Sequence, residues 1–267
     1  MVVFDPELAA RMKMPKELLE RAQELHFAMH IGRQHVHAAL YDFSASSCLW
    51  HVESEVPPSI SVYKFIYQRN WMEGVFRRCT VTFDTDCYAL VPASLFDPNA
   101  ASDYLEMQHG VSGITAGFFE LSEAESVVCF ETPEWQTDLI RNFPNARIIP
   151  VSALLLRIAS NRTNQSMSGF LVMFSSLTIT IAAVKDKEIV MLSTHEARTG
   201  EDALYHLSNA AMRLQIDPEK CEIELLDTSE QTELTELLKR YFGEVKALVV
   251  IPEMNAPMVT QIHYLCA

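Results

Sequence analysis

Two segments of this chain repeat one another, and this repeat constrains the fold more than any other feature of the sequence. Residues 29–42 align without a gap against residues 173–186, with Met, Ala-Ala and Asp at the same places. Both segments are typical of two strands joined by a tight turn. A repeated strand hairpin indicates a fold of two lobes with a cleft, so the two turns are the first positions to examine for functional residues.

The predicted elements extend the repeat over most of the chain. The first half opens with three strands, a helix and a strand, predicted at 25–31, 35–42, 48–56, 61–73 and 79–83. The second half is predicted as β-β-β-α-β-α-β, at 170–174, 178–185, 188–193, a helix capped by Thr199, 221–226, a helix from near Thr228, and 247–251. Three antiparallel strands followed by alternating helices and parallel strands form the ribonuclease-H-like module, and two such modules form the actin-like ATPase fold. The sequence therefore predicts an α/β protein of two ribonuclease-H-like lobes with a duplicated β-β-β-α-β-α-β order.

A polar stretch marks the predicted boundary between the lobes. Residues 161–168 are rich in Asn, Ser, Thr and Gln, a composition that favours a connection over a strand or helix. We therefore predict an N-terminal helical segment over 1–23, a first lobe over 24–160 and a second lobe over 161–267. The first lobe carries added material between Asp84 and Ala146.

Composition limits the classes of partner. The formal net charge is -14 and the sequence pI is near 5.0, so general binding to nucleic acid or to an anionic membrane is not expected. No apolar stretch approaches the roughly 20 residues that a membrane span needs. The six cysteines form no C-x-x-C pair, which favours reduced thiols. These features predict a cytoplasmic protein without a membrane span.

The turns of the two hairpins lack the residues that hold Mg-ATP in this fold. That chemistry asks for a carboxylate beside the turn and for glycines that let backbone N–H groups approach the phosphates. The first turn keeps Gly32 but has His30 where the acid belongs, and the second offers Ser175 and Ser176 with neither acid nor glycine. The last predicted strand ends at Pro252 in place of a glycine pair. The sequence thus argues against ATP hydrolysis and indicates no catalytic residue.

Several blocks resemble a known family. The repeated hairpins, the block Tyr88–Phe96 with Tyr104-Leu105, and Arg147–Val151 followed by Ala153-Leu154 resemble a bacterial family of uncharacterised proteins with an actin-like ATPase fold. The family is more distantly similar to pilus-assembly and cell-division proteins of that fold. The resemblance covers about residues 24–255. It implies the fold, and since the family has no assigned activity, it transfers no catalytic residue.

Three functions remain open at this stage. The first is a scaffold or regulatory protein that binds an unidentified protein partner and needs no cofactor, an interpretation favoured by the altered turns. The second is a degenerate nucleotide-binding protein in which Gly32, Ser175, Ser176 and Thr178 contact a phosphate, with ATP and Mg²⁺ as the cofactors that the fold would take. The third is a metal-dependent hydrolase that uses the early histidines.

The metal interpretation depends on the register of the first hairpin. The early histidines are His26, His30, His35, His37 and His51. A turn centred on Arg33 would pair Ile31 with His35 and Met29 with His37. His35 and His37 would then lie on one face of the sheet and His26 and His30 on the other, because successive side chains of a strand point to opposite faces. Four histidines would then converge on a metal ion only after a slip of the register, although His35, His37 and His51 of the third strand could still meet.

Overall fold

The structure is a computed structural model that describes residues 13–42, 44–45, 47–58, 60–162, 168–174, 177–227 and 232–247. The chain forms two compact units that are not continuous in sequence. The first runs through Phe83 and then over Glu134–Ile148, and the second comprises Asp84–Pro133 and Ile149–Leu248. The predicted lobe bounds, 24–160 and 161–267, follow chain order and stay a prediction.

The described strands and helices alternate along the chain as an α/β protein requires. The strands are β1 (His26–Ile31), β2 (His35–Asp42), β3 (Ser47–Glu55), β4 (Arg78–Phe83), β5 (Tyr88–Pro92), β6 (Ala116–Leu121), β7 (Ser126–Glu131), β8 (Ala146–Pro150), β9 (Gly169–Phe174), β10 (Thr178–Lys185), β11 (Glu188–Glu196), β12 (Glu222–Asp227) and β13 (Glu244–Ala247). The α-helices are α1 (Lys16–Glu20), α2 (Val62–Tyr67), α3 (Ala101–His109), α4 (Gln136–Asn142), α5 (Val151–Arg162), α6 (Gly200–Leu214) and α7 (Thr232–Leu238).

Each unit contains a five-stranded sheet, and the two sheets have the same strand order. The first is β3-β2-β1-β4-β8 and the second is β11-β10-β9-β12-β13. In both, the first three strands are antiparallel and the fourth runs parallel to the central one. This is the order of the ribonuclease-H-like module, so the predicted α/β fold class is confirmed, whereas an origin by duplication stays a prediction.

The two hairpins correspond with a shift of one residue from the gapless alignment. The pair next to the turn joins Ile31 to Val36 in the first hairpin and Phe174 to Ile179 in the second. Equivalent strand positions therefore lie one residue earlier in the second hairpin than the shared Met, Ala-Ala and Asp indicate. Because a shift of one residue exchanges the two faces of a strand, the matched methionines point to opposite faces of their sheets. The gapless alignment is wrong, although both hairpins exist.

One face of the first sheet carries an aromatic core. The ring of Phe27, fully buried in β1, lies 4.7 Å from that of Phe76, 5.3 Å from that of Trp71 and 5.8 Å from that of Phe143, measured between centroids. Large rings contribute more apolar area per residue than aliphatic side chains do. This group therefore joins the sheet to the segment after α2 and to the end of α4.

The helix predicted over residues 61–73 is wrong in extent. It consists of α2 and a separate 3₁₀ turn, Asn70–Glu73, with Arg69 between them in an extended conformation at φ -100° and ψ 142°. The side-chain amide of Asn70 donates to the backbone oxygen of Met14 (2.8 Å) and accepts from the backbone N–H of Met14 (3.0 Å). This pairing with a distant segment holds the break.

The second sheet is covered on both faces within its own unit. Helices α6 and α7 cover one face, where their Ala203, Leu207 and Leu238 join the core of the unit. Helix α5 lies against β9, β10 and β11 on the other face. The predicted cap of α6 is confirmed, since Thr199 and Asp202 form a capping box.

Two predictions for the last part of the chain need correction or lie outside the described residues. The final strand, predicted over 247–251, is β13 at Glu244–Ala247, which pairs in parallel with β12. Residues 248–251 lie outside the described residues. So does Thr228, and the helix predicted from there is described only from Thr232.

The segment Asp84–Pro133 forms a small layer of its own. Its sheet has the order β5-β7-β6, with both pairs antiparallel, and α3 packs against one face. Leu105 of α3 is fully buried there among small and β-branched residues, which are Ala89, Val91, Ala101, Val127 and Cys129.

Candidate functional site

The first hairpin turn is closed on itself. The backbone N–H of Gly32 donates to the backbone oxygen of His35 at 2.9 Å, so this amide already has an acceptor. A Cβ at position 32 would lie 2.5 Å from Cε1 of His35, because the imidazole ring packs directly over the glycine. Glycine is therefore required here by the histidine ring, a requirement unrelated to any phosphate.

The histidines of the first hairpin share one face of the sheet, so the predicted register is wrong. His30 lies opposite His37 because the turn spans four residues between the innermost pair, where the sequence analysis expected three. His35, two residues before His37, points to the same side. The ring centroids are 5.7 Å apart for His30 and His35, 6.0 Å for His30 and His37, and 4.9 Å for His35 and His37.

A row of polar side chains crosses four strands through this cluster. On β4, Oγ1 of Thr82 lies 3.0 Å from Nδ1 of His30. On β3, a carboxylate oxygen of Glu53 lies 3.7 Å from Nε2 of His37. The two histidines are fully buried, whereas Glu53 is half-exposed at the outer strand. The row therefore leads from the interior of the sheet to solvent.

Burial keeps His26, His35 and His37 neutral at neutral pH. Loss of hydration and, to a smaller extent, the neighbouring His35 together lower the pKa of His37 to about 3. Burial lowers the pKa of His35 as well. His26, whose Nε2 lies 2.9 Å from Oγ1 of Thr80, has its pKa lowered to about 4 by burial and by the charge of Arg78. Neutral rings can pack closely in this way, whereas protonated ones would repel one another.

The cluster has no geometry suited to a metal ion. Within the described ranges, no group of three or more His, Cys, Asp or Glu side chains is arranged so that it could hold one. His35 and His37 meet edge to face, with an angle of 83° between their rings. The rings therefore pack as aromatic groups.

The second hairpin turn is only partly described. Ser175 and Ser176, two of the residues predicted to contact a nucleotide, lie outside the described residues. Thr178 begins β10 and is buried, at the position that corresponds to His35 in the first hairpin. Gly32 belongs to the first compact unit and Thr178 to the second.

A hydroxyl network in the second unit replaces the histidine row of the first. Thr180, at the position corresponding to His37, places its Oγ1 3.0 Å from Oγ1 of Thr194 on the neighbouring strand. Thr194 also lies 3.4 Å from the hydroxyl of Tyr88 in β5. These contacts join the small layer of residues 84–133 to the second sheet.

The segment of residues 84–133 has a functional character that was not predicted. Residues 84–133 contain no lysine or arginine, and they expose apolar side chains on their outer strand. The lack of lysine and arginine can be seen in the sequence when charge is counted segment by segment. The exposure of the apolar side chains can be found only from the structure.

Comparison with solved structures defines the class of protein. The chain is similar to the crystal structure of a protein from Bacteroides thetaiotaomicron VPI-5482 described as having an actin-like ATPase fold and unknown function, with a TM-score of 0.76, 17% sequence identity, and coverage of 93% of this chain and 98% of that chain. The structure of the PilM-PilN type IV pilus biogenesis complex matches with a TM-score of 0.50 and 12% identity, over 84% of this chain and 88% of that one. The chain therefore has the actin-like ATPase fold.

The chain belongs to the family described as Protein of unknown function (DUF3822), whose model matches residues 20–245. The predicted resemblance to a family of unknown function with this fold is thereby confirmed. Among curated proteins, no sequence is similar enough to count as a relative. None of the helices that the structure describes has both the length and the apolar character of a membrane span.

Proposed function

We propose that this protein is a member of the actin-like fold that has lost ATPase activity and acts as a scaffold or regulatory module by binding another protein. The observation that carries the proposal is the closed first turn. The N–H of Gly32 is donated to His35, and the ring of His35 occupies the space above the glycine. An amide that is already bonded, beneath a neutral ring, is a poor receptor for a triphosphate.

The charge of the turn supports the same proposal. Mg²⁺ bound with ATP is held through carboxylate oxygens and water, and the first turn from His30 to His35 contains no acid. Both histidines are buried, and burial lowers the pKa of His35, which leaves that ring uncharged toward an anion. The similarity to the PilM-PilN type IV pilus biogenesis complex adds that a protein with a similar fold occurs in a complex with another protein.

The competing proposal is a degenerate nucleotide site. In that case Gly32, Ser175, Ser176 and Thr178 would contact the phosphates, with hydroxyl groups in place of glycine amides. The third proposal, a metal-dependent hydrolase, has the histidine face as its basis, and the edge-to-face packing of that face does not support it.

Calorimetric titration of the purified protein with Mg-ATP and Mg-ADP separates the first two proposals. We expect no heat of binding, no rise in melting temperature at 1,000 times the protein concentration, and no phosphate release. A ligand at 100 times its Kd stabilises a protein by about 2.7 kcal/mol, so even a weak site would be visible as a thermal shift.

The variant His35→Ala is the matched control, because it opens the space above Gly32 without adding a charge. Binding by wild-type protein that is accompanied by phosphate release would refute the proposal. Binding without release, weakened by Gly32→Val, would establish the degenerate nucleotide site instead.

A further inference from the structure

The small layer of residues 84–133 has an extreme charge. Its acidic residues number nine, and no lysine or arginine accompanies them; they are Asp84, Asp86, Asp97, Asp103, Glu106, Glu120, Glu123, Glu125 and Glu131. The layer therefore contributes -9 to a formal net charge of -14, although it contains fewer than one in five of the residues. A charge so concentrated gives the surface a preference for cationic partners.

The layer presents an open sheet edge. Strand β6 lies at the end of the order β5-β7-β6, and within the described part of the chain it pairs only with β7. Half of the backbone N–H and C=O groups of such a strand point away from the sheet and can pair with a further strand. β6 carries the sequence Ala-Gly-Phe-Phe-Glu-Leu and has neither lysine nor proline, the residues that usually protect an edge.

Aromatic side chains lie beside this edge. Phe118 in β6 is 42% exposed, and its ring centroid lies 5.0 Å from that of Phe96, which in turn lies 6.1 Å from that of Tyr104. The hydroxyl of Tyr104 donates to the backbone oxygen of Leu95 at 2.8 Å and accepts from the backbone N–H of Asp97 at 3.0 Å. The loop that carries Leu95 and Phe96 is thus fixed next to the edge.

The acids Asp103 and Glu120 beside these rings are exposed, and neither forms an ion pair with a side chain that the structure describes. Glu120 shares the face of Phe118 two residues further along β6, and Asp103 precedes Tyr104 in α3. Among the described side chains of residues 97–131, no carboxylate lies within ion-pair distance of a basic group. Elsewhere in the same unit, Glu196 pairs with Arg198 at 2.8 Å. The acids of the layer keep their charge available to a partner.

The longer stretches outside the described residues lack the positive charge that would suit this edge. Those of more than two residues are 1–12, 163–167, 228–231 and 248–267, and together they contain one lysine or arginine, Arg11, against four acids. A second copy of a chain with a net charge of -14 meets the layer with repulsion of like charges.

We propose that the outer edge of β6, with Phe118 and Phe96, binds an extended cationic segment of a partner protein. The segment adds a strand to the sheet, places alternate apolar side chains on the aromatic group, and sets lysine or arginine against Glu120 and Asp103. The proposal rests on the protein-binding role proposed above and specifies the chemistry of the partner.

A second exposed edge strand provides a matched control. β11 lies at the end of the second sheet, its Val190 is 40% exposed, and Glu188 is exposed two residues earlier in the same strand. The variants Phe118→Ser with Glu120→Lys and Val190→Ser with Glu188→Lys therefore each replace one exposed apolar side chain and reverse one acidic charge, on two different edges.

Fluorescence anisotropy with two labelled nine-residue peptides tests the proposal on the full chain. One peptide alternates Lys with Val and the other alternates Glu with Val. We expect the Lys peptide to bind, with an affinity that falls as salt rises, and the Glu peptide not to bind. The double variant on β6 should weaken binding at least tenfold, and the one on β11 should leave it within about twofold.

Equal losses from both double variants, no loss from either, or equal binding of both peptides would each overturn the proposal. If the β6 double variant binds the Lys peptide as tightly as the wild-type protein, and the wild-type protein does not bind ATP, the proposed binding surface is refuted. The proposed non-catalytic role is then unaffected. Turnover of ATP would instead remove the role on which the surface rests.

Discussion

The buried histidines make the stability of the first unit fall as the pH is lowered from neutral. In the folded protein the pKa of His26 is about 4 and that of His37 about 3, whereas an unfolded histidine has a pKa near 6.5. The unfolded chain therefore takes up protons first. The contribution of these neutral rings is complete above the unfolded pKa and is lost as the pH falls toward the folded values.

The size of the effect follows from the difference between those values. Between pH 7 and pH 5.5, each of the two histidines lowers the free energy of unfolding by about 1.2 kcal/mol, or about 2.5 kcal/mol together. His35, whose pKa burial also lowers, acts in the same direction. Most carboxylates stay ionised in this window, so the histidines dominate the change.

Tryptophan fluorescence isolates the unit that carries these histidines. The three tryptophans, Trp50, Trp71 and Trp135, all belong to the first unit. Urea unfolding followed by their emission at pH 7.0, 6.25 and 5.5 gives the slope of the free energy of unfolding against pH. His37→Gln should reduce the slope by about 1.2 kcal/mol per pH unit near pH 5.5, since it removes close to one proton from the linkage.

His51→Gln is the control, because His51 is exposed on the neighbouring strand. Its slope should match that of wild-type protein. A free energy of unfolding that does not change between pH 7 and pH 5.5 would refute the reasoning, and so would equal flattening by the two variants.

Three further predictions concern local packing. Gly32→Ala should cost about 1–3 kcal/mol of folding free energy in urea unfolding, because its Cβ meets the ring of His35, and the cost should shrink in the background of His35→Ala. Gly243→Ala should cost about 3 kcal/mol, because its Cβ would collide with a backbone oxygen. Gly200→Ala should stay within about 1 kcal/mol of wild type, because its Cβ would meet only the flexible side chains of Leu237 at 3.2 Å and Leu234 at 3.7 Å. Thr199→Ala removes the side-chain cap of α6 and should cost about 1 kcal/mol, measured by thermal unfolding in far-UV circular dichroism. A neutral Gly243→Ala, or a cost for Gly32→Ala that is independent of His35, would contradict the packing argument.

The elements could be predicted from the sequence to a greater extent than their register. The bounds predicted for the second strand of each hairpin, 35–42 and 178–185, agree with β2 and β10. Each of these strands is a run of apolar and β-branched residues bounded by a turn at both ends. This pattern depends only on residues that are close in sequence. The register depends on whether the turn has three or four residues, and neither turn contains the Asn-Gly or Asp-Gly pair that would have decided it.

Contacts between distant residues explain the other differences. The break at Arg69 depends on two hydrogen bonds between Asn70 and Met14, which no local pattern of residues 61–73 contains. In the candidate site, the sequence alone shows that His30 stands where an acid is expected. The hydrogen bond from the backbone N–H of Gly32 to the backbone oxygen of His35 depends on the register of the first hairpin, which only the structure shows. The sequence thus indicated which chemical groups the turn lacks, and only the structure showed what its remaining groups bind.

The ends of the acidic layer have a consequence for how this family can vary. The chain leaves the first unit at Phe83 and returns at Glu134, and the rings of Phe83 and Trp135 meet edge to face with centroids 5.5 Å apart. An insertion that departs and returns at neighbouring points changes length at little entropic cost to the body that holds it. Mutations can therefore change the length or the charge of this layer while the strands on either side of it stay in place. Members of the family are expected to differ most in the segment between Phe83 and Trp135.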